Sequence, residues 1–441
     1  MRNRSSHFSL VVVLIAGALP SPAFAQGDIP VVTLAEARRR SITVDPNSVA
    51  ARNRVETASW EKRAAALNLF TPSLRATTSY THLSAPFFNF GTGGVSPNSA
   101  SATLDANYAI FGFGKFGALK SSRASLESAE ASETVSRFRS ALETDAAYFA
   151  VLADHDLERV TTDRLKRAEE QLGIARVRVI AGEALSSDSL QLLLEVSRAR
   201  LSVLSRDSAL IASRFRLGRR IGLDGPAEAA PIDTTLPPQL PMTQEQAIAE
   251  MRSRGPDVEA ARAEEKIANA IVGAERERYL PELSIGGNIG RYDTELFPSA
   301  LKRSQYTVTV GIPIWNGGTR ELAVARARAD RDVVTARRAD LERGSAEVMA
   351  QAYHGYLTAR GGIDLASIGV AAATENYRVQ NARYREGATT ILDLLEAQVA
   401  LSEAQAALIQ SRYSSRLALA QIEALLGRRI FEASSINPNV R

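Results

Sequence analysis

The chain has no cysteine among its 441 residues. That excludes disulfides, thiolate metal sites and a lipid-modified cysteine at a processed N-terminus. Only four methionines occur, which argues against a methionine-lined path for copper or silver ions. His82, His155 and His354 are scattered, without the i, i+4 pairing or acidic neighbours of a metal site. No nucleophile motif appears, and the glycines within 91–94 lack the strand-to-helix context of a phosphate cradle. Neither catalysis nor a cofactor is expected. The formal charge of +4 drops to +2 without Arg2 and Arg4, a balance that gives no reason to expect a nucleic acid partner. Beyond residue 25 no apolar run reaches the roughly 18 residues of a membrane-spanning helix. A closed β-barrel remains open to such a chain, because its strands also satisfy every backbone group in lipid. Proline is missing from residues 115–181 and 319–386, so nothing interrupts a helix there.

What is present starts with "MRNRSSHFSLVVVLIAGALPSPAFAQ". Arg2 and Arg4 precede an apolar core that ends at a small-x-small site, Ala23-Phe24-Ala25. This pattern predicts an export signal peptide over residues 1–25, with the mature chain starting at Gln26.

The rest is a duplication. "IAGEALSSDSLQLLLEVSRAR" (180–200) reappears as "REGATTILDLLEAQVALSEAQ" (385–405), with Gly182 matching Gly387 and Asp188 matching Asp393. We assign a first repeat to residues 26–225, a proline-rich extended linker to 226–242, a second repeat to 243–427 and a tail to 428–441. Each repeat opens with a helical stretch of about 38 residues, stopped by Pro72 in "NLFTPSL" and by Pro281 in "ERYLPEL".

The period then changes from 3.6 to 2. Tyr306, Val308, Val310 and Ile312 alternate with Gln305, Thr307 and Thr309, and Leu104, Ala106 and Tyr108 alternate with Thr103, Asp105 and Asn107. Partner strands are expected over 73–83 and 283–292, with loops over 84–100 and 293–304. Strands of about ten residues fit a tilted bilayer crossing; a half-buried antiparallel sheet of a soluble domain is the alternative. Trp315 and Tyr292, at strand ends, suit an interfacial aromatic belt. Glycines after each second strand, Gly112 and Gly114, then Gly317 and Gly318, are expected as strand-to-helix hinges.

The proline-free stretches would make helices about 100 Å long. The returning helices, 187–222 and 390–427, match that length only when each stacks end to end with an opening helix. Four strands from one chain leave two open edges in lipid, so copies must close the sheet. Two copies give eight strands, about filled by side chains, and three give twelve with room for a lumen.

The order of signal peptide, helix, strand pair, glycine hinge, long helical hairpin and linker, then all of it again, resembles the TolC-like outer membrane efflux family. The resemblance covers residues 33–427, most specifically "VGIPIWNGG" (310–318), "YLPELSIGG" (279–287) and "YREGATTILDLLEAQ" (384–398). It implies a mainly α fold with transmembrane β: long helical hairpins forming an α-barrel, and four strands per chain closing a 12-stranded β-barrel in a homotrimer. It further implies an exit duct through outer membrane lipid. The partners would be a periplasmic adaptor and an inner-membrane pump of the resistance-nodulation-division or ABC type. The reading from another class is a periplasmic coiled-coil adaptor or scaffold with a small β domain, which would lack lipid-facing strands.

Gly182 and Gly387 lie where the long helices must reverse. The resemblance makes Gly182, Glu183, Gly387, Ala388 and Thr389 the hairpin tips that meet the adaptor. It pairs Tyr384 with Asp188 beside Ser187 as a tie of the closed entrance, and maps an acidic constriction onto Asp393 and Glu396. Those two acids also share a helix face by spacing. The sequence departs from the family at Thr389, where some relatives carry a tying arginine, and at Glu183, where a hydrophobic residue is usual. For Asp393 and Asp188 a plainer role is open: "TTILD" reads as a capping box, and carboxylates in a first turn are favoured by the helix dipole.

Overall fold

A computed structural model of the chain describes residues 29–89, 93–112, 114–232, 239–295 and 301–431. The signal peptide expected over 1–25 and most of the tail lie outside them. The order is β1 (Val31–Val32), α1 (Leu34–Val44), α2 (Pro46–Phe70), β2 (Ser73–Asn89), β3 (Gly94–Phe111), α3 (Lys115–Ile180), α4 (Ser186–Arg220) and β4 (Glu228–Ala229). The second half runs α5 (Gln244–Arg254), α6 (Pro256–Glu277), β5 (Glu282–Asp293), β6 (Leu301–Gly311), α7 (Thr319–Arg385) and α8 (Ile391–Leu426).

The opening helices differ from expectation. Each breaks once, at Asp45–Pro46 and at Gly255–Pro256, so each repeat begins with a short and then a longer helix. Proline has no N–H and is at home in the first turn of a helix, so a new helix starts there. The ends of the returning helices press on these breaks. A Cβ on Gly222, past α4, would meet Val44 at 2.8 Å, and one on Gly427, past α8, would meet Pro256 at 2.6 Å. The linker is also less loose than expected: Glu228–Ala229 pairs in parallel with Val31–Val32, and the buried Tyr148 hydroxyl donates to Ala230 O at 2.7 Å.

The α3 and α7 helices, of 66 and 67 residues, are each about 100 Å long. Along α3 lie α2 and α4, and along α7 lie α6 and α8, so short helices do stack beside long ones. Near the sheet the neighbours run α2-α3-α6-α7; away from it they run α4-α3-α8-α7. Midway, a buried ion pair ties α1 to α3: Arg38 holds Asp145 through two hydrogen bonds of 2.6 and 2.8 Å. A carboxylate so deeply buried needs such pairing.

The sheet has the order β2-β3-β5-β6, antiparallel throughout. Its register sorts the residues by face. Leu74, Leu104, Ile289, Ile285 and Val308 share one side, while Thr77, Thr103, Asp105, Asn288 and Gln305 share the other. Asn288 donates to Asp105, and Ser79 and Ser101 bond at 2.7 Å on the polar side. Tyr306 is 78% exposed and Val308 67%, so neither is packed in a globular core.

Three strand expectations need correction. The first hairpin is longer: β2 and β3 have 17 and 18 residues, so most of 84–100 is strand and not loop. Pro86 and Pro97 sit at the irregularity between His82 and Phe87, where no ladder N–H is required. The last strand ends at Gly311, leaving Ile312, Ile314 and Trp315 beyond it and exposed. Tyr292 pairs with Ser101 and therefore lies on the polar side, unlike a lipid-facing belt residue.

Candidate functional site at the hairpin tips

Both hairpins reverse through the same backbone turn. After α3, Gly182 N donates to Val179 O at 3.1 Å and Glu183 N to Arg178 O at 2.8 Å. After α7, Gly387 N donates to Tyr384 O at 3.1 Å and Ala388 N to Arg383 O at 2.8 Å. The turn needs a left-handed residue, and Gly182 and Gly387 supply it with φ of +78° and +74°. At the other end of the long helices, Gly114, Gly317 and Gly318 also have positive φ, and Gly112 does not.

The tips are glued by a shared apolar cluster in which Leu172 and Ala175 of α3 and Leu192 of α4 meet Tyr384, Ile391 and Leu394 of the second hairpin. Just above it, Gln171 Nε2 donates to Tyr377 Oη at 2.9 Å, again across the hairpins.

Asp393 closes a capping box. Thr390 Oγ1 accepts from Asp393 N at 3.3 Å, and the Asp393 carboxylate accepts from Thr390 N at 3.1 Å. The hydroxyls of Thr390 and Thr389 add bonds of 2.7 and 2.8 Å. These hydrogen bonds, led by the Thr390 hydroxyl, hold the Asp393 carboxyl below its ordinary value. Glu396 is exposed, three residues further along α8. The matching Asp188 has no such cap, because Leu185 precedes α4 in place of a threonine. Its carboxylate accepts only a long 3.4 Å bond from Ser187 Oγ among the described residues.

Tyr384 is 4% exposed. Burial pushes its phenol up, and the nearby Asp188 charge adds to that. The Asp188 charge acts on the phenol without bonding to it: Tyr384 Oη has no hydrogen-bond partner among the described residues. A residue the sequence reading missed lies beside them. Arg178 Nη1 donates to Tyr384 O at 2.7 Å, and its guanidinium carbon is 5.5 Å from the Tyr384 ring centre. The available signal was a repeat: Arg178 and Arg383 each stand four residues before a tip glycine.

Among the described residues no helix is long and apolar enough to cross a membrane. The arrangement of paired hairpins below an amphipathic sheet has close counterparts. The model of the family described as "Outer membrane efflux protein" matches residues 45–223 and 247–428. The chain belongs to that family. The probable efflux pump outer membrane protein TtgC of Pseudomonas putida is 26% identical over 297 residues, covering 65% of this chain and 60% of that protein. The pyoverdine export outer membrane protein OpmQ of Pseudomonas aeruginosa is 27% identical over 355 residues, covering 76% and 71%. Among solved structures, the Campylobacter jejuni CmeC outer membrane channel shares the fold with a TM-score of 0.76 at 18% identity, over 92% of this chain and 88% of that one. The match thus spans about three-fifths of the length of TtgC.

Proposed function

We propose that three copies of this chain form a passive exit duct in the outer membrane, completing an efflux system whose adaptor and inner-membrane pump supply contact and energy. One observation carries the reading: the four-stranded sheet has one face that is apolar from Leu74 and Val310 up to Leu104 and Ile289 and gives way to Arg291 and Lys302 at its far end, a polar face, and two unpaired edges among the described residues, β2 and β6. Those edges continue downward into α2 and α4 on one side and α7 on the other, each with a single neighbour of its layer. Joining β6 and α7 of one copy to β2, α2 and α4 of the next satisfies sheet and helices together, and three copies leave a lumen. The named relatives, one an efflux pump component and one a pyoverdine exporter, support the outward direction of transport.

On this reading the repeats 26–225 and 243–427, joined by 226–242 and followed by the tail 428–441, alternate around the tube. The tips face the adaptor through Gly182, Glu183, Gly387, Ala388 and Thr389. Asp188, Ser187 and Tyr384 narrow the entrance, Asp393 and Glu396 become stacked carboxylate rings, and Gly112, Gly114, Gly317 and Gly318 are the hinges below the barrel. Purified in detergent, the protein should run unheated as a trimer and conduct in planar bilayers. A water-soluble monomer without conductance would overturn the proposal and favour a periplasmic scaffold. Asp393→Asn combined with Glu396→Gln should lower cation selectivity in the same recordings; unchanged selectivity would leave Asp393 with its cap alone.

A further inference from the structure

Arg178 is in the last turn of α3, and yet its shortest hydrogen bond goes to the other hairpin. Both long helices run from the sheet to the tips, so their C-termini, with unpaired carbonyls and negative dipole ends, arrive side by side. Arg178 lies between them. Nη1 donates to Tyr384 O at 2.7 Å, Nη2 reaches Glu183 O at 3.5 Å, and Nε is 3.9 Å from the Glu183 carboxylate. Its side chain is 18% exposed. It lies against the second tip's glycine, since a Cβ built on Gly387 would touch Nη2 at 3.4 Å. The matching Arg383 donates to Ala388 O at 3.3 Å, inside its own tip. An arginine fork is suited to bridging two acceptors in a way a lysine point charge is not.

We propose that Arg178 is the latch of the duct's entrance: one guanidinium that fastens the second hairpin's tip to the first and keeps the pair from separating. This inference rests on the duct reading for its consequence in transport, and on the tip geometry alone for the fastening.

The test uses the full-length protein in detergent and in planar bilayers. Arg178→Gln should speed hydrogen–deuterium exchange at the amides of Gly387 and Ala388 about tenfold, the scale of a lost charged hydrogen bond. Arg178→Lys should give a smaller rise. Arg383→Gln serves as the control for an arginine that caps only its own turn. If Arg178→Gln changes exchange at 179–185 and leaves 384–390 as in the wild type, Arg178 is a local cap and the latch is refuted. In bilayers, Arg178→Gln should raise the resting conductance; equal conductance of variant and wild type would overturn the gating consequence. Absence of channels from the wild type would instead strike the duct reading, with the exchange result still deciding whether the tips are fastened.

Discussion

At the first tip Leu185 precedes α4 and offers no side-chain acceptor, whereas at the second Thr390 precedes α8 and closes a capping box with Asp393. The backbones around these residues are the same turn, with matching hydrogen bonds and matching glycines. Their surfaces are not. The first tip leaves Val177, Ile180 and Leu185 exposed, while the second buries Tyr384 and Ile391. Duplication has kept the turn and divided the labour: the second tip is held by its own caps and by Arg178 of the first, and the first presents apolar side chains outward. The paired aspartates show the division most directly. Asp393 is occupied by its cap, and Asp188, with leucine in the threonine's place, is left beside Tyr384.

The comparison implies that the tips are joined by a common core and distinguished by their caps and their surfaces. Its strongest test is Leu394→Ala. Leu394 is fully buried where both hairpins meet, and truncation there should cost about 2–5 kcal/mol. Exchange should accelerate at both tips; loosening of the second alone would break the idea of a shared core. Next come Gly182→Ala and Gly387→Ala. Each places a side chain in the left-handed region, at about 1–2 kcal/mol. The loss should be greater at Gly387, because straining that turn also disturbs the Tyr384 carbonyl that Arg178 holds. Thermal dissociation of the oligomer and local exchange would both report it, and equal effects would remove the asymmetry.

Much of this architecture is legible in the sequence. The proline-free stretches and the repeated glycines place the two long helices and their returning partners, the change of period at Pro72 and Pro281 places the start of each sheet segment, and "TTILD" announces its cap. Other features were hidden for physical reasons. Helical spacing continues on both sides of Pro46 and Pro256, and proline is tolerated in a helix's first turn, so one helix and two in series read alike until the caps at Asp45 and Gly255 are seen. Residues 84–100 are rich in glycine, proline and serine and read as loop, but cross-strand pairing carries the ribbon past its irregularity. Tyr292 changed sides because a strand's face is fixed by register, which one strand's pattern cannot give. Arg178 escaped notice because its partner is a backbone carbonyl on another hairpin. A sequence shows side chains and is silent on which carbonyls a fold leaves open.

Smaller effects sharpen the difference in caps. Thr390→Ala should cost about 1 kcal/mol by removing the N-cap of α8. Leu185→Thr should stabilise the start of α4 by up to about as much, since Asp188 already stands at the third helical position to complete a box. The reciprocal pair of exchange changes, slower at 186–189 and faster at 391–394, is the expected outcome; no gain from Leu185→Thr would mean that Asp188 is held elsewhere. The smallest effect is acid sensitivity. Because its hydrogen bonds depress the Asp393 carboxyl, the cap's contribution is full above the ordinary aspartate value, about 3.9, and is lost as pH falls through the depressed one. On acidification, therefore, the second tip should lose its exchange protection relative to the first. Thr390→Ala should flatten that difference, because the group that couples the tip to protons no longer has the partner that made it sensitive.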